Sequence, residues 1–422
     1  MGSFLSFVKR VYRVFYPLTV PKSQDALRFG ILGAANIGPQ GLILPAKSHP
    51  EVIVAAVAAR DVKKAEEYAK KHGIPIVHKT YDDLINDPSI DCIYNPQPIG
   101  LHYEWTLKAL KAGKHVLLEK PSVSNGEEAR SLFRHPVLSK QDAPVLLEAF
   151  HYPFHPAWQT FLTLFDPADV EEVVVTNVLF AGVFPLDDIR FIYSLSGGTL
   201  MDYGTYAVSC VRAVFAAEPT LVRAATYRPM PNGYDQKCDE AFYAEYEFPN
   251  GGVAKITTDL QARGGWWFPS LTANWPRPVD PVPTLRLTLR AKDDGLEGDF
   301  QKRSQKTIFF YGYMGPHLYH RIDITTTTEL RNPQDGKVVK TNASTERKKV
   351  YKWPPGSDRR TGEEFWSTYR YQLEEFVNRV KKRPGSGVWI EPENSMRQME
   401  MIDATYLKAG LPTRPTSKAL ER

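Results

Sequence analysis

Phe29-Gly30-Ile31-Leu32-Gly33-Ala34-Ala35-Asn36-Ile37-Gly38 joins a short apolar run to a turn with glycines at its two ends. An apolar run of this length, bounded by glycine, reads as a buried strand. The glycines permit a tight turn and close approach of backbone to a pyrophosphate, whose charge the N-terminal amides of the next helix would hold. Ala35 replaces the middle glycine of the usual pattern. Glycine-rich turns are common in α/β proteins, so the placement matters more than the glycines. This one follows a strand directly, and a second apolar run, Val52 to Ala58, ends about twenty residues later.

Further along the chain, apolar runs recur at Ile90 to Tyr94, Val116 to Leu118 and Val145 to Leu147. Between them, Val62 to His72 reads as a charged helix, and Leu101 to Ala112 carries Trp105, Leu107 and Leu110 before Gly113 closes it. The alternation predicts a doubly wound parallel sheet, an NAD(P)-binding Rossmann domain over residues 25–150. After Phe150 longer strand-like stretches take over, at Val170 to Phe180, Ala241 to Phe248, Val253 to Leu260, Leu285 to Arg290, Thr307 to Tyr311 and Ile322 to Leu330. Helical patterns interrupt them at Thr199 to Phe215, Glu363 to Lys382 and Pro392 to Lys408. The fold class is therefore α/β, with a second, α+β domain over 151–422 built on an open, largely antiparallel sheet. The last helix is expected to pack back on the first domain.

A chain of 422 residues, 42% hydrophobic and 24% charged, is long enough for two cored domains. The formal charge of +5 is spread over both signs without blocks, which argues against a nucleic-acid partner. Cys92, Cys210 and Cys238 are far apart and odd in number, as in a cytoplasmic, reducing compartment. No run of about 18 apolar residues is present to span a bilayer.

Residues 1–24 read as an amphipathic arm and linker. At about 100° per residue, Phe4, Phe7, Val8, Val11 and Phe15 share one face, opposite Ser6, Lys9, Arg10 and Arg13. Met1-Gly2-x-x-x-Ser6 fits the loose N-myristoylation pattern. The expected role is nevertheless an arm docked on its own protein, with any membrane contact confined to this segment.

At the end of the second strand, Ala58-Ala59-Arg60-Asp61 stands where an NAD-binding protein would usually present a carboxylate to the ribose 2′-hydroxyl. Arg60 offers a charged donor fork that suits a 2′-phosphate, so NADP is expected over NAD, with Asp61 next door keeping NAD open. Glu119-Lys120-Pro121 ends the Val116 to Leu118 run, and Pro121 disfavours helix at Lys120. A lysine there would face a bound nicotinamide.

With these motifs, residues Leu27 to Phe150 resemble the nucleotide-binding half of the Gfo/Idh/MocA oxidoreductases, of which Glu119-Lys120-Pro121 is the hallmark. Tyr94-Asn95-Pro96-Gln97-Pro98, Leu101-His102-Tyr103-Glu104-Trp105, Glu148-Ala149-Phe150-His151-Tyr152 and Ala409-Gly410-Leu411-Pro412-x-Arg414-Pro415 are most similar to its dimeric dihydrodiol dehydrogenase and D-xylose 1-dehydrogenase branch. The resemblance implies cofactor contacts from Gly33, Ala35, Asn36, Ile37, Gly38, Arg60, Asn95, Pro96, Gln97, His102, Glu119 and Lys120. It also implies a homodimer formed through the second sheet.

Gly197-Gly198-Thr199-Leu200-Met201-Asp202-Tyr203-Gly204-Thr205-Tyr206 resembles that branch's catalytic segment, with Asp202 and Tyr206 four apart and so on one helix face. Oxidising an alcohol requires a base for the hydroxyl proton, and a free tyrosine with a pKa of about 10 is too protonated at neutral pH. A nearby ammonium favours the phenolate, so Lys120 is expected to depress Tyr206 and to hold the substrate oxygen, with Asp202 orienting Lys120 or a substrate hydroxyl. His151 and Tyr152 follow the last Rossmann strand and are candidates for substrate contact, equally compatible with packing between domains. Arg190, Trp266 and Trp267 are further candidates for the pocket wall. Pro153 between His151 and His155 spoils the helix that a metal pair would need, so no metal is expected.

Two departures touch the substrate. Relatives usually carry Pro-Asn where this chain has Pro98-Ile99, and His-Tyr-Arg-Phe-His where it has His151-Tyr152-Pro153-Phe154-His155. The expected reaction is NADP-dependent dehydrogenation of a cyclic polyol, an aldose such as D-xylose at C1 or a trans-dihydrodiol. Alternatives are a reductase of a ketone or lactone, and a catalytically silent NADP-sensing regulator.

Overall fold

The computed structural model describes residues 2–266, 269–277, 282–354, 357 and 361–420. An N-terminal helix, α1 (Gly2–Phe15), precedes the first sheet. That sheet is built from β1 (Leu27–Leu32), β2 (Val52–Ala58), β3 (Ile76–His78), β4 (Cys92–Asn95), β5 (His115–Leu118) and β6 (Leu146–Glu148). The strands run in the order β3-β2-β1-β4-β5-β6 and every pairing is parallel. The order reverses between β1 and β4, so the loops after these strands diverge and leave a crevice at their carboxyl ends.

The connecting helices are α2 (Leu44–Lys47), α3 (Val62–His72), α4 (Tyr81–Ile85), α5 (His102–Lys111) and α6 (Gly126–Phe133). The helix after the glycine turn begins as a π-helical turn, Pro39–Ile43, before α2. Asp61 accepts hydrogen bonds from Lys63 and Lys64 backbone N–H groups to cap α3, and Gly73 ends it at φ 69°. The two faces of the sheet follow strand alternation: Phe29, Ile31 and Leu117 enter one apolar cluster, Leu32, Val116 and Leu118 the other.

The second sheet follows α7 (Pro156–Leu162). It contains β7 (Val170–Phe180), then, after α8 (Thr205–Phe215), β8 (Leu221–Pro229), β9 (Asp239–Glu247) and β10 (Val253–Ala262). After α9 (Pro269–Thr272) come β11 (Thr284–Leu289), β12 (Lys292–Glu297), β13 (Phe300–Tyr311), β14 (Arg321–Arg331) and β15 (Val338–Lys348). Their order is β15-β14-β13-β11-β7-β10-β9-β8, with β12 beside β13. Pairing is antiparallel except between β7 and β10. Val173, Val175, Leu285, Leu287, Ile308 and Phe310 point inward with α8, while Val174, Arg286 and Phe309 alternate outward.

Two C-terminal helices return to the first sheet. In α10 (Thr368–Val380), Leu373, Phe376 and Val377 join the cluster of Phe29 and Ile31, with the Phe29 and Phe376 rings 5.8 Å apart. This places α10 with the parallel sheet although it follows residue 151 in the chain. In α11 (Pro392–Lys408), Asp403 Oδ2 accepts from the Gly126 N–H at 2.7 Å, and Glu400 pairs with Arg130. Among the described residues, no helix is long and apolar enough to cross a membrane.

Candidate active site

The carboxyl ends of β1, β4 and β5 open onto a cleft of about 720 Å³. The glycine turn contributes Gly33, Ala35, Asn36 and Ile37 to its wall, with Gly33 at φ 107°, a conformation other residues rarely adopt. Pro96, Gln97, His102, Glu119 and Lys120 continue the wall, and Asp188, Arg190, Asp202, Tyr206 and Tyr369 face them from the other side.

Lys120 follows Glu119 at the mouth of β5 and joins Pro121 through a cis peptide bond. Its Nζ donates to Asp202 Oδ1 at 2.9 Å and to the Asp202 backbone carbonyl at 2.8 Å. Arg190 Nε donates to the other carboxylate oxygen, Oδ2, at 3.0 Å. Burial alone would raise the Asp202 pKa, but Lys120 and Arg190 together hold the carboxyl down at about 2. Asp202 is thus an anion between two cations. Glu119 is held by the Tyr94 hydroxyl at 2.7 Å and by the Lys120 N–H at 3.2 Å; burial raises its pKa against both of those bonds.

Asp202 lies in a π-helical turn, Leu200–Gly204, and Tyr206 in the first turn of α8. The segment is pinned from below: Asp239 Oδ2 accepts from the Leu200 N–H at 2.7 Å, and Arg414, fully buried, donates to Gly197 O at 2.6 Å and to Asp239 Oδ1 at 2.7 Å. The Tyr206 hydroxyl meets His151 Nε2 at 3.0 Å. The His151 ring also lies 4.1 Å from that of Tyr369.

Among the described residues, the buried amide of Gln97 has no partner on either its Nε2 or its Oε1, and His151 Nδ1 also lacks one. Orphaned buried polar groups are costly, so a cleft carrying them is suited to a polar ligand that completes them. The glycine turn beside that amide fits a dinucleotide: backbone is open to a pyrophosphate, and polar groups remain for the nicotinamide end. Among the described residues, no group of three His, Cys, Asp or Glu side chains is placed to hold a metal.

The family described as "Oxidoreductase family, NAD-binding Rossmann fold" matches residues 27–141, and the GFO/IDH/MocA C-terminal domain matches residues 163–275. D-xylose 1-dehydrogenase (NADP(+)) 2 of Haloferax volcanii is 34% identical over 271 residues, 62% of this chain and 80% of that protein. The chain belongs to the Gfo/Idh/MocA oxidoreductase family. A trans-1,2-dihydrobenzene-1,2-diol dehydrogenase of Xenopus laevis is 32% identical over 46% of this chain and 58% of its own length. A 3-ketoreductase from Actinomadura kijaniata, solved in complex with NADP and TDP-benzene, shares the fold at a TM-score of 0.65 and 20% identity, covering 91% of this chain and 98% of that one.

Not every residue singled out from the sequence of this Gfo/Idh/MocA oxidoreductase lines the cleft. Gly38 is not on the cleft wall; a Cβ there would strike the Tyr68 hydroxyl, so its smallness serves helix packing. Asn95 is fully buried and its amide serves the loop, bonding Thr106 Oγ1 and the Gln97 N–H. Tyr152 packs between Trp158 and Tyr313 and bonds Ser209, away from the cleft. Trp266 is 41% exposed, bonds Pro276 O and packs on Trp275 outside the cleft, while Trp267 lies outside the described residues. His102 reaches the cleft, yet its ring nitrogens lie 3.0 Å from Pro121 O and 2.7 Å from Gln97 O, tying two loops together. Arg60 is exposed; its N–H donates to the Tyr81 hydroxyl, which does line the cleft.

The expected depression of Tyr206 by Lys120 is reversed. Burial pushes the phenol well above its ordinary value, and Tyr369, Glu119 and Asp202 add to the effect. Lys120 Nζ lies 4.8 Å from the centre of the Tyr206 ring and turns two of its N–H groups to Asp202, whose carboxylate offsets much of its charge. Of the two departures from the branch pattern, Ile99 lines the cleft, whereas Pro153 is buried in a 3-10 turn behind it. Sequence reasoning missed Tyr369, Tyr81 and His317 on the wall. Tyr369 opens a helix that was read correctly as a helix, but no spacing ties it to a segment more than a hundred and fifty residues earlier.

Proposed function

We propose that the protein is an NADP-dependent oxidoreductase that transfers hydride between a hydroxyl-bearing carbon of a cyclic polyol and nicotinamide, with Tyr206 and Lys120 as its acid-base pair. An aldose such as D-xylose at C1, or a trans-dihydrodiol, is the substrate class. The observation that carries this reading is the convergence of Lys120, Asp202 and Tyr206 on the same cleft as the glycine turn.

NADP, when bound, supplies the hydride acceptor and, once reduced, the donor. Gly33 to Ile37 would hold its pyrophosphate and Arg60 its 2′-phosphate, with Gln97 at the nicotinamide end. The choice of NADP draws support from Asp61, whose carboxylate is spent on capping α3 and leaves Arg60 as the charged group at that strand end. Lys120, held by Asp202, presents an ammonium to the substrate oxygen, and Tyr206 moves the proton at that oxygen. His151 fixes the Tyr206 hydroxyl from the far side.

The phenol, kept protonated by burial, favours one direction, since it is set to give a proton to a carbonyl oxygen. Carbonyl reduction is therefore the second reading, and the same residues serve both directions by microscopic reversibility. The test is the change in NADPH absorbance across aldoses, trans-dihydrodiols and cyclic ketones in both directions. Turnover of at least one class with NADP, faster than with NAD, is expected. NADPH bound tightly with no turnover of any class would overturn the reading in favour of a sensor.

A further inference from the structure

The helix α1 and the linker that follows it together reach both sides of the cleft. Its Arg10, only 5% exposed, donates from Nε to His317 O at 3.2 Å and from Nη2 to Leu318 O at 3.4 Å. The guanidinium also lies 3.5 Å from the centre of the Tyr351 ring, and Phe7 meets Tyr319 edge-on. All of these partners follow β13 in the second half of the molecule. The linker beyond α1 is bonded instead to the nucleotide-binding side. The Val20 N–H donates to Lys47 O at 3.1 Å, and Lys22 Nζ donates to Ala46 O at 2.6 Å and His49 O at 2.8 Å, at the end of α2. One turn past Arg10, Val14 and Phe15 line the cleft together with Leu44 from one side and Leu318 from the other.

We infer that α1 is a wall of the binding cleft and a clasp on the bound dinucleotide, with Arg10 as its catch and Val14 and Phe15 as its inner surface. This rests on the reading of the cleft as an NADP site. A dinucleotide leaves such a cleft when the two sides part or when the wall over it lifts, and α1 with its linker is bonded to both sides. Either movement breaks the buried bonds of Arg10, whose two acceptor carbonyls then lose their partner. The apolar pair at the inner surface keeps water out while the clasp is closed. A wall of this kind acts on the rate of release more than on the rate of arrival.

The test is stopped-flow release of NADPH, followed by its fluorescence on displacement with excess NADP. It compares the full chain with Arg10→Ala, Phe15→Ala and a chain lacking residues 2–16. Release about tenfold faster is expected for Arg10→Ala and for the shortened chain, with a smaller change of the same sign for Phe15→Ala and association within about twofold of the full chain. Equal release rates in all four would overturn the clasp, as would a loss of affinity carried only by slower association. Phe15 is 41% exposed, so its truncation leaves the fold intact and decides the matter if Arg10→Ala melts early by circular dichroism. A full chain that binds neither NADPH nor NADH contradicts the cofactor reading itself, whereas tight binding with arm-independent release contradicts the clasp alone.

Discussion

The contact between Lys120 Nζ and Asp202 Oδ1, 2.9 Å long, sets how much of the lysine charge a ligand meets. With Arg190 on the other oxygen, Asp202 is held ionised, and its carboxyl carbon should titrate at about 2 in a pH-resolved NMR experiment; a midpoint near the ordinary 3.8 would mean that the two cations do not reach it. The sign follows: the folded-state pKa is depressed, so the ion pairs stabilise the site above the ordinary carboxylate value and are lost as pH falls through about 2. Arg60 supports a second prediction. Replacing it by alanine should weaken NADP about tenfold or more while leaving NAD within about twofold, read by calorimetry. Equal loss for both cofactors would remove the 2′-phosphate role.

Among the elements, the segment from Gly197 to Tyr206 depends on a support that contains no cleft group: Arg414 and Asp239, both fully buried, fasten Gly197 and Leu200. Gly198, at φ 137°, passes so close that a Cβ would strike Arg414 Nη2. Arg414→Ala leaves Asp239 buried without its cation and should cost about 3–5 kcal/mol of unfolding free energy in a denaturant titration. A loss below about 1 kcal/mol would show that the segment is held otherwise. Glu148 at the end of β6 gives a pH-dependent counterpart. Burial raises it to about 6, so folding is favoured below its ordinary pKa of 4.5 and weakened as pH rises through about 6. Glu148→Gln should therefore flatten the fall in melting temperature between these two values, and an unchanged slope would assign it to other groups.

These supports also mark what the sequence discloses. Val52 to Ala58 and Val62 to His72 have the observed bounds, because a buried run and a capped, charged helix leave period and punctuation in the chain. β3, three residues long, and β15, exposed along nearly its whole length, leave no apolar period and were not read. Lys120, Asp202 and Tyr206 were legible through motif and spacing. The direction of the Tyr206 shift was not, since it depends on burial supplied by Phe150, His151 and Tyr369 from distant segments.

For the molecule as a whole, the parallel sheet and the mixed sheet meet at one cleft, with α1, α10 and α11 carrying chain from one to the other. The outward face of the mixed sheet bears Val174, Tyr243, Arg286, Phe309 and Tyr311, an aromatic and arginine surface of the kind found at protein interfaces. Light scattering should give twice the chain mass, and Phe309→Glu should return the monomer; a full chain that is monomeric at micromolar concentration would exclude this pairing. Whether Lys120 and Tyr206 act on a substrate beside bound NADP is decided by the turnover and NADPH affinity of Lys120→Met beside the unaltered chain. Turnover at least about a hundredfold lower is expected, with NADPH affinity kept within about threefold. Undiminished turnover would contradict that role.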